Sequence, residues 1–281
     1  MAVQTNGFGS SFQAAKNSTI AHGRSSTLLK EPRRTRLAVS SPNHRSTRFN
    51  QLELVCKPWR KVMWCIGRIT AEYPERMYDL LGLYAELYDS AEPVICLDEK
   101  SKQLLKQTRS PIAAAAGQVA KEDYEYKRAG TRNLFVAVEP KAGHREVEVT
   151  CRRTKSDFVA FVQFLALEVY AQARKIHLVL DNLNTHFRGS FEAVMGLEAA
   201  TAFLARLEFH YTPKHASWLN MAEIEIGILD RQCIGGRVAD ETRLRSEVLA
   251  WEQRRNRERC RIDWKFTRQD ADRKLARHYV T

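Results

Sequence analysis

Ile176-His177-Leu178-Val179-Leu180-Asp181 is the stretch on which the reading of this chain turns. A short apolar run, too brief for a helix and halted by Asp181-Asn182, reads as a buried strand. It delivers a carboxylate at its C-terminal end. An earlier stretch has the same design: Pro93-Val94-Ile95-Cys96-Leu97 runs into Asp98. In open α/β sheets, sites gather beyond the carboxyl ends of strands. If the two strands are parallel neighbours, Asp98 and Asp181 meet at one edge of the sheet. Two adjacent carboxylates repel when both are ionised, and a cation between them removes that cost. Mg²⁺ suits, being a hard cation that takes carboxylate oxygens and keeps waters for a phosphate. Two such ions roughly 3.5–4 Å apart would serve phosphoryl transfer. Either aspartate taken alone is an ordinary strand-end residue; the matched pair points to a site.

Working outward, the elements alternate. Tyr73, Met77, Leu80, Tyr84 and Leu87 recur at helical spacing. Asn133–Val138 and Val147–Cys151 read as strands, joined by a hairpin turn at Gly143. Thr154 and Asp157 form a capping box that opens a helix running through Ala171, apolar at Phe158, Phe161, Val162, Leu165 and Val169. A helical region over 188–206, the strand Glu208–Tyr211 stopped by Pro213, and a helix from Ser217 (its N-cap) to Cys233 follow. One more helix over about 240–255 and a basic tail complete the chain. This order suits a mixed α/β sheet with helices on its faces.

A third carboxylate is expected from the 217–233 helix. Its apolar stripe is Leu219, Ala222, Ile226 and Leu229, and Glu223 and Glu225 flank it on opposite sides. Helix geometry does not choose between them, and spacing alone reads both as a solvated flank.

Composition bounds the function. The chain has 281 residues, 44% hydrophobic, with a net charge of +12. That is enough to build a core, and no apolar run is long enough for a membrane-spanning helix. Residues 1–70 hold twelve Lys and Arg against two acids, Glu31 and Glu53, and residues 251–281 hold ten against five, so the segment between is slightly acidic. Basic ends around an acidic centre fit arms that grip phosphate and a core that holds cations. Residues 1–50 are Arg- and Ser-rich with little periodicity and read as a poorly ordered, DNA-contacting arm; their composition also fits an organellar transit peptide. Cys56, Cys65, Cys96, Cys151, Cys233 and Cys260 form no CxxC pair, which argues against a zinc ribbon or a disulfide framework.

Three blocks carry a family resemblance. They are Cys96-Leu97-Asp98-Glu99-Lys100, Leu180-Asp181-Asn182-Leu183-Asn184-Thr185-His186, and the long run from His210 through Pro213-Lys214-His215-Ala216-Ser217-Trp218-Leu219-Asn220-Met221-Ala222 to Glu223. Together they resemble a DDE transposase, most closely the bacterial insertion-sequence-six-thirty family of the mariner-like superfamily. The resemblance runs from about Lys57 to the C-terminus. It implies an α/β, ribonuclease-H-like mixed sheet flanked by helices, after a poorly ordered basic N-terminal segment (1–56), a helical linker (57–90) and before a C-terminal helix and basic tail (237–281); the catalytic domain would span 91–236. It implies catalytic, metal-holding carboxylates at Asp98, Asp181 and Glu223, which selects Glu223 over Glu225. Asn182, His186, Lys214 and His215 would stand near them in support. The implied activity is cleavage and strand transfer at the ends of an insertion element, with Mg²⁺ or Mn²⁺ as a pair of ions. The implied partners are double-stranded DNA (element ends, and target DNA at a TA step) and a second copy of the chain, with no membrane. A cytoplasmic, nucleoid-associated protein is the matching expectation.

Two departures accompany the resemblance. Forty-one residues separate Asp181 from Glu223, a long gap for the family. No helix-turn-helix pattern is evident in residues 1–56, so a remnant that only binds DNA is the rival reading, and a structure-selective nuclease a third.

Overall fold

A computed structural model describes residues 71–275. The basic segment 1–56, the Lys57–Lys61 motif and the end of the tail lie outside the described residues.

A single five-stranded sheet organises the described residues, in the order β3-β2-β1-β4-β5. The strands are β1 (Val94–Gln107), β2 (Tyr126–Glu139), β3 (His144–Thr150), β4 (Ile176–Leu180) and β5 (Leu207–Tyr211). The first three form an antiparallel meander, and β4 and β5 run parallel to β1. This is the expected ribonuclease-H-like mixed sheet. The β2–β3 hairpin turns at Gly143, whose φ of 70° belongs to the left-handed region. A Cβ there would stand 2.6 Å from the Arg259 carbonyl group, so the turn excludes any side chain.

One expectation fails at the centre of the sheet. The β1 strand does not stop at Asp98 but continues to Gln107, with Asp98 opposite Val136 of β2. The cause is its antiparallel partner, which is equally long and pairs with the polar half of β1. The parallel pairing with β4 does end early, at Cys96 opposite Val179. Asp98 therefore lies just past the point where β4 leaves β1.

Alternation along the strands sends side chains to two cores. Ile95, Leu97, Phe135, Ala137, Ile176, Leu178 and Leu180 face one side. There they pack against α2 (Lys155–Phe164) and the pair α3 (Arg188–Met195) and α4 (Leu197–Leu204). Thr154 and Asp157 form the expected capping box, and a π-helical turn, Leu165–Val169, ends the α2 helix. The 188–206 region is two helices, because Gly196 takes a φ of 82° and breaks it.

On the other face, α1 (Glu72–Ala85) buries Met77, Leu80 and Tyr84 against Cys96 and Val179. Leu87, which fits the helical spacing, falls beyond the helix and is exposed. On the same face lie α5 (Met221–Leu229) and α6 (Glu241–Arg257), whose Leu229, Val248 and Trp251 pack on Leu134, Val136 and Val147. The basic tail holds a further helix, α7 (Arg268–Leu275), seated near α1 through Ala271. Seven α-helices are thus present among the described residues.

Candidate active site

Asp98, Asp181 and Glu223 reach one neighbourhood from three elements. Asp98 and Asp181 are carried by neighbouring parallel strands, Asp98 inside β1 and Asp181 directly after β4. Both lie beyond the short parallel pairing of β1 with β4. Glu223 stands in the first turn of α5 and is exposed.

Asn220 aims that turn. Its side-chain oxygen accepts from the Ala222 N–H at 3.1 Å and caps α5, while its Nδ2 donates to the Leu97 carbonyl at 2.9 Å. One fully buried amide thus ties the start of α5 to the residue before Asp98. Sequence reasoning gave the N-cap to Ser217. That residue instead begins a single 3-10 turn, Ser217–Leu219, because Asn220 holds the β1 contact. An Asn directly before Met221-Ala222-Glu223 was the available signal.

Asp181 and Glu223 both act electrostatically on Asp98. Burial, with the charges of Asp181, Glu223 and Glu99 beside it, holds the Asp98 carboxyl up at about 7, against the Glu99 N–H that donates to it at 2.7 Å. The charges of Asp181, Glu223 and Glu99 on Asp98 are all negative. A set of oxygen donors with surplus negative charge fits a hard divalent cation, and the three residues are suited to hold one.

His186 is fully buried and bridges two acids: its Nδ1 lies 2.6 Å from Asp181 Oδ1 and its Nε2 2.9 Å from Glu99 Oε1. Burial opposes a charge on the ring, but the two carboxylates lift its pKa to about 9. An imidazolium donating on both sides therefore prevails at neutral pH. Desolvation would raise Asp181, yet the His186 bond and the Leu183 N–H draw its pKa below the usual value. Phe158 packs against the ring in a tilted arrangement, 4.7 Å between centroids. Glu99, the far anchor, was not singled out from sequence; its place directly after Asp98 was the only signal.

The other expected support residues divide. Asn182 donates from Nδ2 to the Thr212 carbonyl at 2.7 Å and accepts from Arg76 of α1 at 2.6 Å, which ties the β4 and β5 exits to α1. Lys214 and His215 are exposed in the turn after β5, where His215 takes a φ of 65°. No hydrogen bond or ion pair among the described residues joins either to the three carboxylates.

Glu225, which spacing could not separate from Glu223, is fully buried and is no solvated flank. Arg255 grips it with both ends of its guanidinium, Nε to Oε1 at 2.6 Å and Nη2 to Oε2 at 3.0 Å. Arg145, also fully buried, adds its Nε at 3.0 Å. Trp251 is buried in the core, while Trp218 is 42% exposed and stacks on Trp264.

Among solved structures, the chain aligns with the Mos1 mariner paired-end complex with Mn at 13% identity and a TM-score of 0.46, over 74% of this chain and 63% of that one. It aligns with the Mos1 strand transfer complex at 11% identity and a TM-score of 0.48, over 82% of this chain and 68% of that one. The chain thus spans less than two thirds of the first of these. No curated protein matches it. Among the described residues no helix is long and apolar enough to cross a membrane. Residues 93–245, more than half of the chain, match the DDE superfamily endonuclease family, and they contain Asp98, Asp181 and Glu223. The chain belongs to the DDE superfamily of endonucleases.

Proposed function

We propose that this chain is a transposase of the bacterial insertion-sequence-six-thirty type, which cuts DNA at the ends of its element and joins the freed end to target DNA. The observation that carries this reading is the convergence of Asp98, Asp181 and Glu223 charge within the matched endonuclease segment. In this reading residues 91–236 carry the chemistry, and 57–90 and 237–281 flank them.

Asp98, Asp181 and Glu223 hold the metal, Mg²⁺ or Mn²⁺, most simply as two ions. Bound divalent ions supply charge stabilisation for the attacking and leaving oxygens of a phosphoryl transfer. The chain's own residues prepare that site. His186 keeps Asp181 ionised and turned outward, and Glu99 holds the ring from behind. Asn220 sets Glu223 against β1, and Asn182 fixes the loop after Asp181. Lys214 and His215, exposed in the turn after β5, would meet the DNA backbone. The partners are double-stranded DNA, cut at element ends and joined at a TA step, and a second copy of the chain.

The experiment incubates the purified chain with Mg²⁺ and a duplex carrying the element's own ends, beside the Asp181→Asn variant. Nicking at the end by the wild type alone is expected. DNA binding by both proteins should weaken steeply with salt as phosphate contacts release counterions. Salt-sensitive binding without nicking would overturn the reading in favour of a DNA-binding remnant. Cutting governed by substrate structure and indifferent to the end sequence would favour a structure-selective nuclease.

A further inference from the structure

A second cluster of donors sits on the sheet at the opposite end of β4. His177 of β4 and Glu208 and His210 of β5 present one ligand atom each, all within 4.8 Å of one another. His177 precedes Asp181 by four residues on an extended chain, about 13 Å along the strand, while His210 pairs with Val179, two residues before Asp181; none of the three donors is one of the three carboxylates.

The geometry points to a transition-metal site, of the Zn²⁺, Co²⁺ or Ni²⁺ class, held by His177 Nδ1, His210 Nε2 and a Glu208 carboxylate oxygen. His177 Nδ1 lies 3.0 Å from His210 Nε2 and 3.6 Å from Glu208 Oε2. A tetrahedral ion with metal–ligand bonds of about 2.0–2.1 Å separates its ligands by about 3.3–3.4 Å, and the two observed spacings straddle that value. The outer partners are also in place. His210 is nine-tenths buried, and its Nδ1 lies 2.7 Å from Asp79 Oδ2 on α1. That bond fixes the proton on Nδ1 and leaves the Nε2 lone pair facing His177, the carboxylate–histidine–metal arrangement found where a ligand ring must be oriented. On the far side of His177, Nε2 has Glu92 Oε2 at 4.0 Å. Each ring thus turns one nitrogen to the common point and the other towards a carboxylate.

Without metal, the His177 Nδ1–H donates to His210 Nε2. Metal entry needs that proton to move to Nε2 of the same neutral ring, on the side that faces Glu92, so no net proton is lost. Burial and the neighbouring His210 lower the His177 pKa and keep the ring neutral, as a ligand must be. Lys175 competes for Glu208 through a 2.8 Å pair, but both partners are 44% exposed and such a surface pair contributes little. Three protein ligands leave a fourth position for water. Imidazole donors favour these ions over Mg²⁺, so the two ends of β4 would select different metals. The ion would bind α1, through Asp79, to the β4–β5 edge.

The test uses the full chain carrying Asp98→Asn and Asp181→Asn, which silences the carboxylate site, titrated with Co²⁺. We expect one equivalent to bind with the visible absorption band of tetrahedral cobalt, undiminished by excess Mg²⁺. His177→Ala should abolish the band in a protein whose circular dichroism is unchanged. Asp79→Asn keeps all three ligands, changes a half-exposed side chain, and should weaken Co²⁺ by about 10–100-fold. No saturable band, or a band that survives His177→Ala, would overturn the proposal. So would an Asp79→Asn variant that binds as tightly as its parent, which decides the matter if His177→Ala does not fold.

Discussion

Glu225 is a fully buried acid of α5 and Asp98 a half-buried one in β1, and their surroundings are opposite. Glu225 lies between two guanidiniums, with Arg255 bidentate and Arg145 beside it. Its charge is compensated twice within the protein. Asp98 has Asp181, Glu223 and Glu99 around it. A single backbone N–H, from Glu99, is set against three negative charges, so further compensation has to come from a cation brought in. A buried carboxylate therefore declares its work by its neighbours: with arginines it braces the fold, and with other carboxylates it holds a site. Glu223 and Glu225 are two residues apart on α5, yet fall on either side of that divide.

Exchanging the two glutamates' roles is the strongest way to break this contrast. Glu223→Gln should lower the nicking rate by roughly 10³-fold or more while leaving the unfolding midpoint near that of the wild type. Glu225→Gln should do the reverse. It leaves two buried guanidiniums without a counter-charge, and breaking such a buried group costs about 3–5 kcal/mol of stability. Urea unfolding beside an end-nicking assay reads both quantities. If Glu225→Gln is as stable as the wild type and stops cutting, the brace and the site have been assigned the wrong way round.

The same contrast explains what the sequence could reveal. The β4 strand is legible residue for residue, because a short apolar run stopped by Asp181-Asn182 has only one reading. Gly143 and the Thr154–Asp157 cap are legible because each is a local device. The polar half of β1 is not: nothing in Glu99–Gln107 alternates, and those residues are strand only because β2 pairs with them. Glu225 is illegible for a similar reason. Its partners lie at Arg145 and Arg255, and only the fold brings them beneath α5. Asp98, Asp181 and Glu223 were reached through strand ends and family blocks. His186 came with the blocks, but its bridge to Glu99 is visible only in three dimensions. The α7 helix, with only Ala271 buried, carries almost no apolar signal to find.

A gentler break acts through His186, which touches Asp181 and not the substrate. His186→Gln should raise the Mg²⁺ concentration for half-maximal nicking by about 10–100-fold, since partners that orient a metal ligand typically contribute that much. The ring's folded pKa is raised, to about 9, so its charged form is favoured by folding. That contribution is complete below the ordinary histidine value and is lost as pH rises through 9. Metal-free wild-type stability, read as the urea midpoint, should therefore fall as pH rises through 9, and the variant should lack that step. A wild type and a variant with parallel profiles would reduce His186 to packing against Phe158.

The smallest effect tests Asp98 without any DNA. In metal-free protein its pKa is raised from 3.8 to about 7, first by burial and then by its acidic neighbours. Between those two values the folded state binds more protons than the unfolded one, so stability falls as pH rises through that window and stays reduced above it. Asp98→Asn removes the buried charge. It should be more stable than the wild type by roughly 1–3 kcal/mol at pH 8 in EDTA, with the gain fading as pH falls towards 4. Urea midpoints of the two proteins at both pH values decide this. A gain at pH 8 that saturating Mg²⁺ then reverses, by stabilising the wild type alone, would tie the strain at Asp98 to the cation it awaits. Equal midpoints throughout would mean that Asp98 is better compensated than its neighbours suggest, and the contrast with Glu225 would lose its force.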